Sequence, residues 1–315
     1  MNRDRLGFWL YPLLGFFLFA FSLYILNREI GKYSLDEIST SLAAIRDQQL
    51  YSALSFAFLG YLVISSYDVI AFWQLNYYLP LQLVLFTTFI TYAVSNTTGF
   101  TLIIGGGIRY RFYSAWGVPG KNIAKTIALG NLTFWLGLIT LAGITFMTNP
   151  LNLPNSIKTN ILLIRCVGAI ALTSVGMYLY LCKRRKYLKI GEKKICFPKL
   201  STSISQIIIF SLDWAFAAGV LYFLTPDYAA KSYLSFFSIY LLAMTASILS
   251  NIPGGIGIFE TVIIFLMPQN IPRTDILGSL LAYRAIRFLL PLTLALIFIV
   301  CFEIKQRLKT VKKPK

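Results

Sequence analysis

The sequence predicts an all-α, polytopic integral membrane protein made of two inverted-topology repeats, each carrying a re-entrant broken-helix hairpin. Three observations carry this expectation. The 315-residue chain is 57% hydrophobic, with a mean hydropathy of +0.68, and its apolar runs reach the roughly 20 residues that span a bilayer. One pattern occurs twice: Ser66-Tyr67-Asp68 leads to Ser95-Asn96-Thr97-Thr98-Gly99, and Ser211-Leu212-Asp213 leads to Ser250-Asn251-Ile252-Pro253-Gly254. Each Asp is followed by a proline, Pro80 or Pro226, and each Ser-Asn-x-x-Gly interrupts the next hydrophobic run. Duplicated units with discontinuous helices are typical of secondary transporters.

The net charge of +17 does not indicate nucleic acid, because the Lys and Arg fall between and after apolar runs, where they orient a chain in the membrane. The absence of His excludes imidazole chemistry and the usual zinc sites, and no cofactor is expected. Cys166, Cys182, Cys196 and Cys301 are widely spaced and read as free thiols. No nucleophile with a positioned base is evident, so the sequence does not read as an enzyme.

Apolar stretches run about 7–26, 50–74, 81–104, 122–147, 159–182, 203–224, 233–268 and 276–302. The first follows Arg3 and Arg5, lacks a small-residue cleavage site and reads as a retained anchor. Leu35, Ile38, Leu42 and Ile45 recur at helical spacing, so 33–49 reads as a short helix on the outer surface. If the N-terminus is cytosolic and each stretch crosses once, the basic run from Lys183 to Lys199 falls outside, against the cytosolic bias of Lys and Arg. One stretch must therefore turn back. Asn96, Gly99 and Gly105-Gly106-Gly107 mark 81–113 as that hairpin, and Asn251 to Gly255 mark 233–268 as its counterpart.

The expected organisation has four parts. Residues 1–49 hold the anchor and surface helix, and 50–182 the first repeat. Residues 183–200 form a basic cytosolic loop, and 201–315 the second, inverted repeat with a basic cytosolic tail. The two hairpins enter from opposite faces and meet near the midplane. Trp9, Trp73 and Trp116 fall at the inner boundary.

Asp68 and Asp213 are the leading functional candidates, since a charge within a span costs roughly 2.5–3.5 kcal/mol and persists only when paired or hydrated. An equally good reading is structural: a hydrogen-bond acceptor tying a broken helix in place. Gly105, Gly106 and Gly107 followed by Arg109 and Arg111 suit a phosphate oxyanion, if the glycines form a turn of open amides beside guanidinium forks. The alternative is that both arginines simply snorkel to inner headgroups. Glu260, at the matching place in the second hairpin, is expected to pair with Arg284 or Arg109; Arg284 and Arg287 lie one helical turn apart. Asn96, Thr97, Gly99, Asn251, Gly254 and Gly255 complete the candidate headgroup site, with Asp68, Asp213, Glu260, Arg284 and Arg287 as gating or ion-pair residues.

The blocks Ser95-Asn96-Thr97-Thr98-Gly99-Phe100, Gly105 to Tyr113 with Trp116-Gly117, and Ser250-Asn251-Ile252-Pro253-Gly254-Gly255-Ile256-Gly257-Ile258-Phe259-Glu260 resemble the transmembrane flippase region of the lysylphosphatidylglycerol synthase, or multiple peptide resistance factor, family. The resemblance covers nearly the whole chain and implies movement of an anionic or aminoacylated phosphatidylglycerol-type lipid across a bacterial inner membrane. The sequence stops at Lys315 without an aminoacyl-transferase domain, so lipid synthesis is not expected. Expected partners are membrane phospholipid and either a second copy of the chain or a separate lipid-modifying enzyme. Two other readings stand: a membrane subunit supplying lipid to such an enzyme, or an ion-coupled small-solute transporter using Asp68 and Asp213.

The crossing scheme is tested by single cysteines in a Cys-less background. Labels near Lys189 and near Asp227 should react with an impermeant reagent from opposite sides of the membrane, and same-side labelling would refute the crossing count.

Overall fold

The structure is a computed structural model that describes residues 35–99, 102–148, 161–184, 187–190, 193–226, 232–250, 253–268 and 271–311. The anchor stretch 7–26, Asn251 and the end of the basic tail lie outside these residues. The order is α1 (Leu35–Ala43), α2 (Asp47–Gln74), α3 (Leu81–Thr98), α4 (Ile103–Ala115), α5 (Gly120–Thr148), α6 (Ile161–Lys183), β1 (Tyr187–Ile190) and β2 (Lys193–Cys196). Then come α7 (Leu200–Leu224), α8 (Tyr233–Leu249), a 3-10 turn (Pro253–Gly255), α9 (Ile258–Leu266), α10 (Arg273–Arg284), a π-helical segment (Ala285–Leu289) and α11 (Leu290–Val311). Among the described residues, five helical rods are long and apolar enough to cross a membrane: α2, α5, α6, α7 and the continuous 273–306 rod.

The expected all-α architecture has one exception. The basic segment 183–200 is not only a loop: β1 and β2 pair antiparallel within it, with Lys189 opposite Lys194. Hydrophobic periodicity could not reveal a two-stranded hairpin this short in a stretch dominated by Lys.

The centre of the fold is the packing of α2 on α7, the two helices that carry the repeated Asp motif. Phe56 of α2 lies on Gly219 of α7, and Phe216 of α7 lies on Gly60 of α2, its Cβ 3.4 Å from where a side chain at Gly60 would begin. Contacts that advance along α2 therefore retreat along α7, and the pair is antiparallel. Small residues allow this close approach where both helices are too apolar for burial alone to drive association. The Phe56 ring also meets Phe216 and Phe223, with centroids 5.6 and 4.8 Å apart. Helix α5 uses the same device on α7, with Phe210 seated on Gly137, and on α6, where a Cβ at Gly168 would lie 3.1 Å from the Gly143 carbonyl.

Side-chain links place the helix ends. Gln49 donates to the Thr225 carbonyl (3.2 Å), Ser279 to Leu224 (2.8 Å) and Ser41 to Thr274 (2.8 Å). The start of α2, the end of α7, the start of α10 and all of α1 thus share one end of the bundle. α1 ends at Ala43, where the sequence suggested one helix through 49, and Gly278 gives Ser41 room to dock on α10. At the other end of α2, Arg111 of α4 pairs with Glu303 of α11 (2.7 Å), and the Phe112 and Phe302 rings lie 4.4 Å apart. Cys182 and Tyr178 of α6 approach Ser203 at the start of α7. This second end gathers Arg111, Lys183, Lys199 and Lys305.

Both Ser-Asn-x-x-Gly motifs break a helix. Gly99 ends α3 in the left-handed region at φ 78°, its N–H bonded to the Ser95 carbonyl (2.9 Å), and α4 then packs back on α3. In the second half Gly254, Gly255 and Gly257 have φ of 61°, 60° and 88°, conformations that side chains rarely adopt, and α9 packs back on α8. The Pro-Gly-Gly-x-Gly spacing is thus a backbone requirement.

Filling the α2–α7 crossing should be costly. Gly219→Ala places a methyl group into the Phe56 ring and is expected to lose about 1–3 kcal/mol. Phe56→Leu in the same chain should recover most of it, read as thermal unfolding in detergent.

Candidate functional site

Two buried ion pairs and a third, partly buried one link the helices of the bundle. The first joins α2 to α4. Arg109 donates from Nε to Asp68 Oδ2 (2.8 Å) and from Nη2 to Oδ1 (2.9 Å), and Tyr113 donates its hydroxyl to Asp68 Oδ2 (2.7 Å). Asp68 has no exposed surface. A bidentate fork plus a phenol satisfies a carboxylate that could not otherwise persist in an apolar interior. The guanidinium also lies 5.0 Å from the centroid of the Tyr92 ring.

The second pair joins α7 to the π-helical segment and is looser. Arg287 Nη2 donates to Asp213 Oδ1 and the Tyr67 hydroxyl to Oδ2, both at 3.1 Å. Arg287 sits 4.7 Å from the Tyr61 ring centroid, and the Tyr61 hydroxyl donates to the Arg287 carbonyl (3.1 Å). Its Nη1 is buried with no hydrogen-bond partner among the described residues. The two pairs adjoin through Tyr67 and Tyr92, whose rings meet edge to face at 5.5 Å.

The third pair staples the second helix break. Arg284 Nε donates to Glu260 Oε1 (2.8 Å) and Nη1 to the Gly254 carbonyl (2.6 Å), while Glu260 Oε2 accepts the Gly257 N–H (2.8 Å) at the start of α9. Phe288 and Phe259 flank the guanidinium, with centroids at 5.0 and 5.7 Å. Tyr240 and Tyr283, with hydroxyls 2.8 Å apart, pack beside Phe259.

The structure therefore places Arg109 on Asp68, not on Glu260, and Glu260 on Arg284. Arg111 lies nearer the bundle end, on Glu303. The triple glycine is not the turn of the first hairpin. Helix α3 ends before Gly99, and Gly105, Gly106 and Gly107 are helical in the first turns of α4, with the Gly106 N–H bonded to Leu102 (3.1 Å). Gly105 instead lets α4 approach α3, since a Cβ there would lie 2.8 Å from Ser95 Oγ and 3.5 Å from Arg109 Nη1. Asn96 is half-buried, Thr97 is buried with its hydroxyl on Ala93 (3.0 Å), and Gly99 is exposed. The two breaks touch: a Cβ on Gly254 would lie 2.9 Å from the Thr97 carbonyl, while Gly255 is pressed on Ser247.

Sequence reasoning missed the phenols. Tyr61, Tyr67, Tyr92 and Tyr113 all serve the ion pairs, and only Tyr67, next to Asp68, and Tyr113, one turn after Arg109, carried a signal in the sequence. Glu303 was missed too, although it is a lone acid among apolar residues in the last helix.

A helical bundle with five membrane-length rods among the described residues, two broken helices in contact and ion pairs among them is a multi-pass membrane protein. The chain belongs to the lysylphosphatidylglycerol synthase TM region family, which it matches over residues 12–295. It is 38% identical over 294 residues to the uncharacterized protein slr0712 of Synechocystis, covering 93% of this chain and 91% of the relative. It is 31% identical over 257 residues to the inner membrane protein YbhN of Escherichia coli, covering 81% and 80%. A phosphatidylglycerol lysyltransferase of Staphylococcus aureus is 27% identical over 283 residues, which cover 89% of this chain and 32% of that enzyme.

Exchanging the charges of the third pair, Glu260→Arg with Arg284→Glu, should not restore the stability that each single variant loses. Each loss is expected to be about 3–5 kcal/mol. The backbone contacts are directional: the Gly254 carbonyl needs a donor and the Gly257 N–H an acceptor. A double variant unfolding at the wild-type temperature would mean that those contacts carry no weight.

Proposed function

We propose that the protein is a phospholipid translocase of a bacterial inner membrane, moving an anionic or aminoacylated phosphatidylglycerol-type lipid between leaflets. The observation that carries this reading is the contact of the two helix breaks, Gly254 against the Thr97 carbonyl. Breaks of this kind open backbone polar groups at membrane depth, which is tolerated only where protein or a wet pathway receives them. The antiparallel α2–α7 pair supports reading residues 50–182 and 201–315 as inverted repeats whose hairpins enter from opposite faces. The basic end of the bundle is then cytosolic, as are both termini.

In this reading the headgroup passes between the hairpins. It meets the polar backbone and side chains around Asn96, Thr97, Gly99 and Gly105–Gly107 on one side and Asn251, Gly254 and Gly255 on the other. Because Asp68 occupies two nitrogens of Arg109, that residue offers a phosphate only its Nη1, the nitrogen facing Gly105. Arg111, half-buried near the bundle end, makes the first contact from the cytosolic face. Asp68, Asp213, Glu260, Arg284 and Arg287 hold the hairpins and set when they part. The acyl chains stay in lipid, and the partner of the protein is the bilayer itself. Family membership supports a lipid substrate, as does the name of the Staphylococcus aureus relative, a phosphatidylglycerol lysyltransferase.

Leaflet exchange in proteoliposomes tests this reading. Wild-type protein should move labelled phosphatidylglycerol or its lysyl ester, and Arg109→Ala and Gly254→Leu should each slow that movement at least about tenfold. A wild type that moves neither lipid overturns the proposal. Movement of a small solute instead would favour the ion-coupled reading, to which the loosely held Asp213 lends support.

A further inference from the structure

The two repeated aspartates are not equivalent. Asp68 is saturated by two nitrogens and a phenol within 2.9 Å, whereas Asp213 has one nitrogen and one phenol at 3.1 Å, and its arginine keeps a buried nitrogen unused. That arginine lies in a π-helical segment, a local departure from α-geometry often found at functional sites. Its guanidinium rests on the Tyr61 ring of α2, and its Nη1 lies beside Gly60, 3.8 Å from where a Cβ would be, so at that position α2 offers the nitrogen no side chain. A guanidinium stays charged at any physiological pH, and a buried donor without a partner carries a free-energy cost that a ligand can remove.

We propose that Asp213 and Arg287 form a coupled site that takes one proton and one phosphodiester anion together. With Asp213 ionised, the pair is neutral and an anion entering beside it meets a carboxylate. When Asp213 accepts a proton from water, Arg287 is left with an uncompensated charge and two free donors, Nη1 and the Nη2 released from Oδ1. An anion restores neutrality. Coupling is reciprocal, so the anion raises proton affinity by the same factor that the proton raises anion affinity. The groups facing Asp213 are Tyr61 and Tyr67 of α2, Tyr92 of α3, Tyr240 of α8 and Arg287. Tyr283 of α10 faces Arg287 in turn. Asp213 is the carboxyl group of this set, the others being phenols and a guanidinium. The identity of the anion as a lipid phosphate rests on the translocase reading; proton-linked anion binding does not.

The test is binding to the purified full-length protein in detergent, measured by calorimetry as the pH is lowered from neutral. Two probes are used: dimethyl phosphate, whose charge is constant over this range, and short-chain dihexanoyl phosphatidylglycerol. Wild-type affinity should rise by up to about tenfold per pH unit, the limit for one coupled proton. Asp213→Asn should bind tightly with no pH dependence, and Arg287→Gln should bind at neither pH extreme. Binding of the lipid alone assigns the site to a headgroup, and binding of both probes assigns it to phosphodiester anions in general; each outcome supports the coupled site. A wild type whose affinity ignores pH, an Asp213→Asn variant that keeps the wild-type slope, or binding of neither probe overturns it. Because the wild-type titration needs no variant, a misfolded mutant leaves the test intact. Proton-linked binding without leaflet exchange would retain this site and remove the translocase reading, and leaflet exchange without it would do the reverse.

Discussion

A carboxylate with no solvent exposure, Asp68, sits six residues before the end of a 28-residue apolar helix, and the first half of the fold is organised around keeping it neutralised. A bare charge there would be expelled or protonated, so its partners must be held within hydrogen-bonding reach as a condition of the helix staying in place. That requirement explains why α4 returns along α3 and α2 rather than continuing outward: Arg109 and Tyr113, one turn apart on α4, both end on the same carboxylate. The hairpin is thus fastened by electrostatics at depth and by Arg111 with Glu303 near the bundle end.

The second half meets the same requirement differently. Where the first motif reads Ser66-Tyr67-Asp68, the second reads Ser211-Leu212-Asp213. Tyr67 reaches across to the opposite Asp, while Leu212 has no hydroxyl to return the favour. Tyr113 fills that gap at Asp68, and α9 brings no arginine to Asp213. Its cation comes instead from the last rod, one turn beyond the arginine that clamps the Gly254 carbonyl. The two Asp motifs thus hold two unlike polar centres, one tightly and one loosely bonded.

Much of this was legible in the sequence. The helices of 50–74, 122–147, 159–182 and 203–224 lie within a few residues of their apolar runs because a bilayer-length apolar segment has few other ways to satisfy its backbone. The breaks were legible because Asn, Gly and Pro interrupt otherwise continuous hydrophobicity. The partners of Asp68 and Asp213 were not, since pairing across more than 40 or 70 positions depends on helix rotation, which composition does not encode. The triple glycine misled for a related reason. Glycine permits a turn but also permits close helix packing, and at Gly105 the neighbour, Ser95, decides for packing. A short lysine-rich hairpin was beyond any periodicity argument.

The five residues from Ala285 to Leu289 carry one consequence that reaches far from their own position. An α-helix advances about 100° per residue, and a π turn absorbs one residue more than an α turn over the same rise. Everything after Leu289 is therefore rotated in phase relative to Arg273–Arg284. Without that offset the stripe of α11 that meets α3 would point elsewhere, and Glu303 would swing away from Arg111. A small irregularity in the last rod thus acts as an indexing device, timing the azimuth of its far end against the first hairpin.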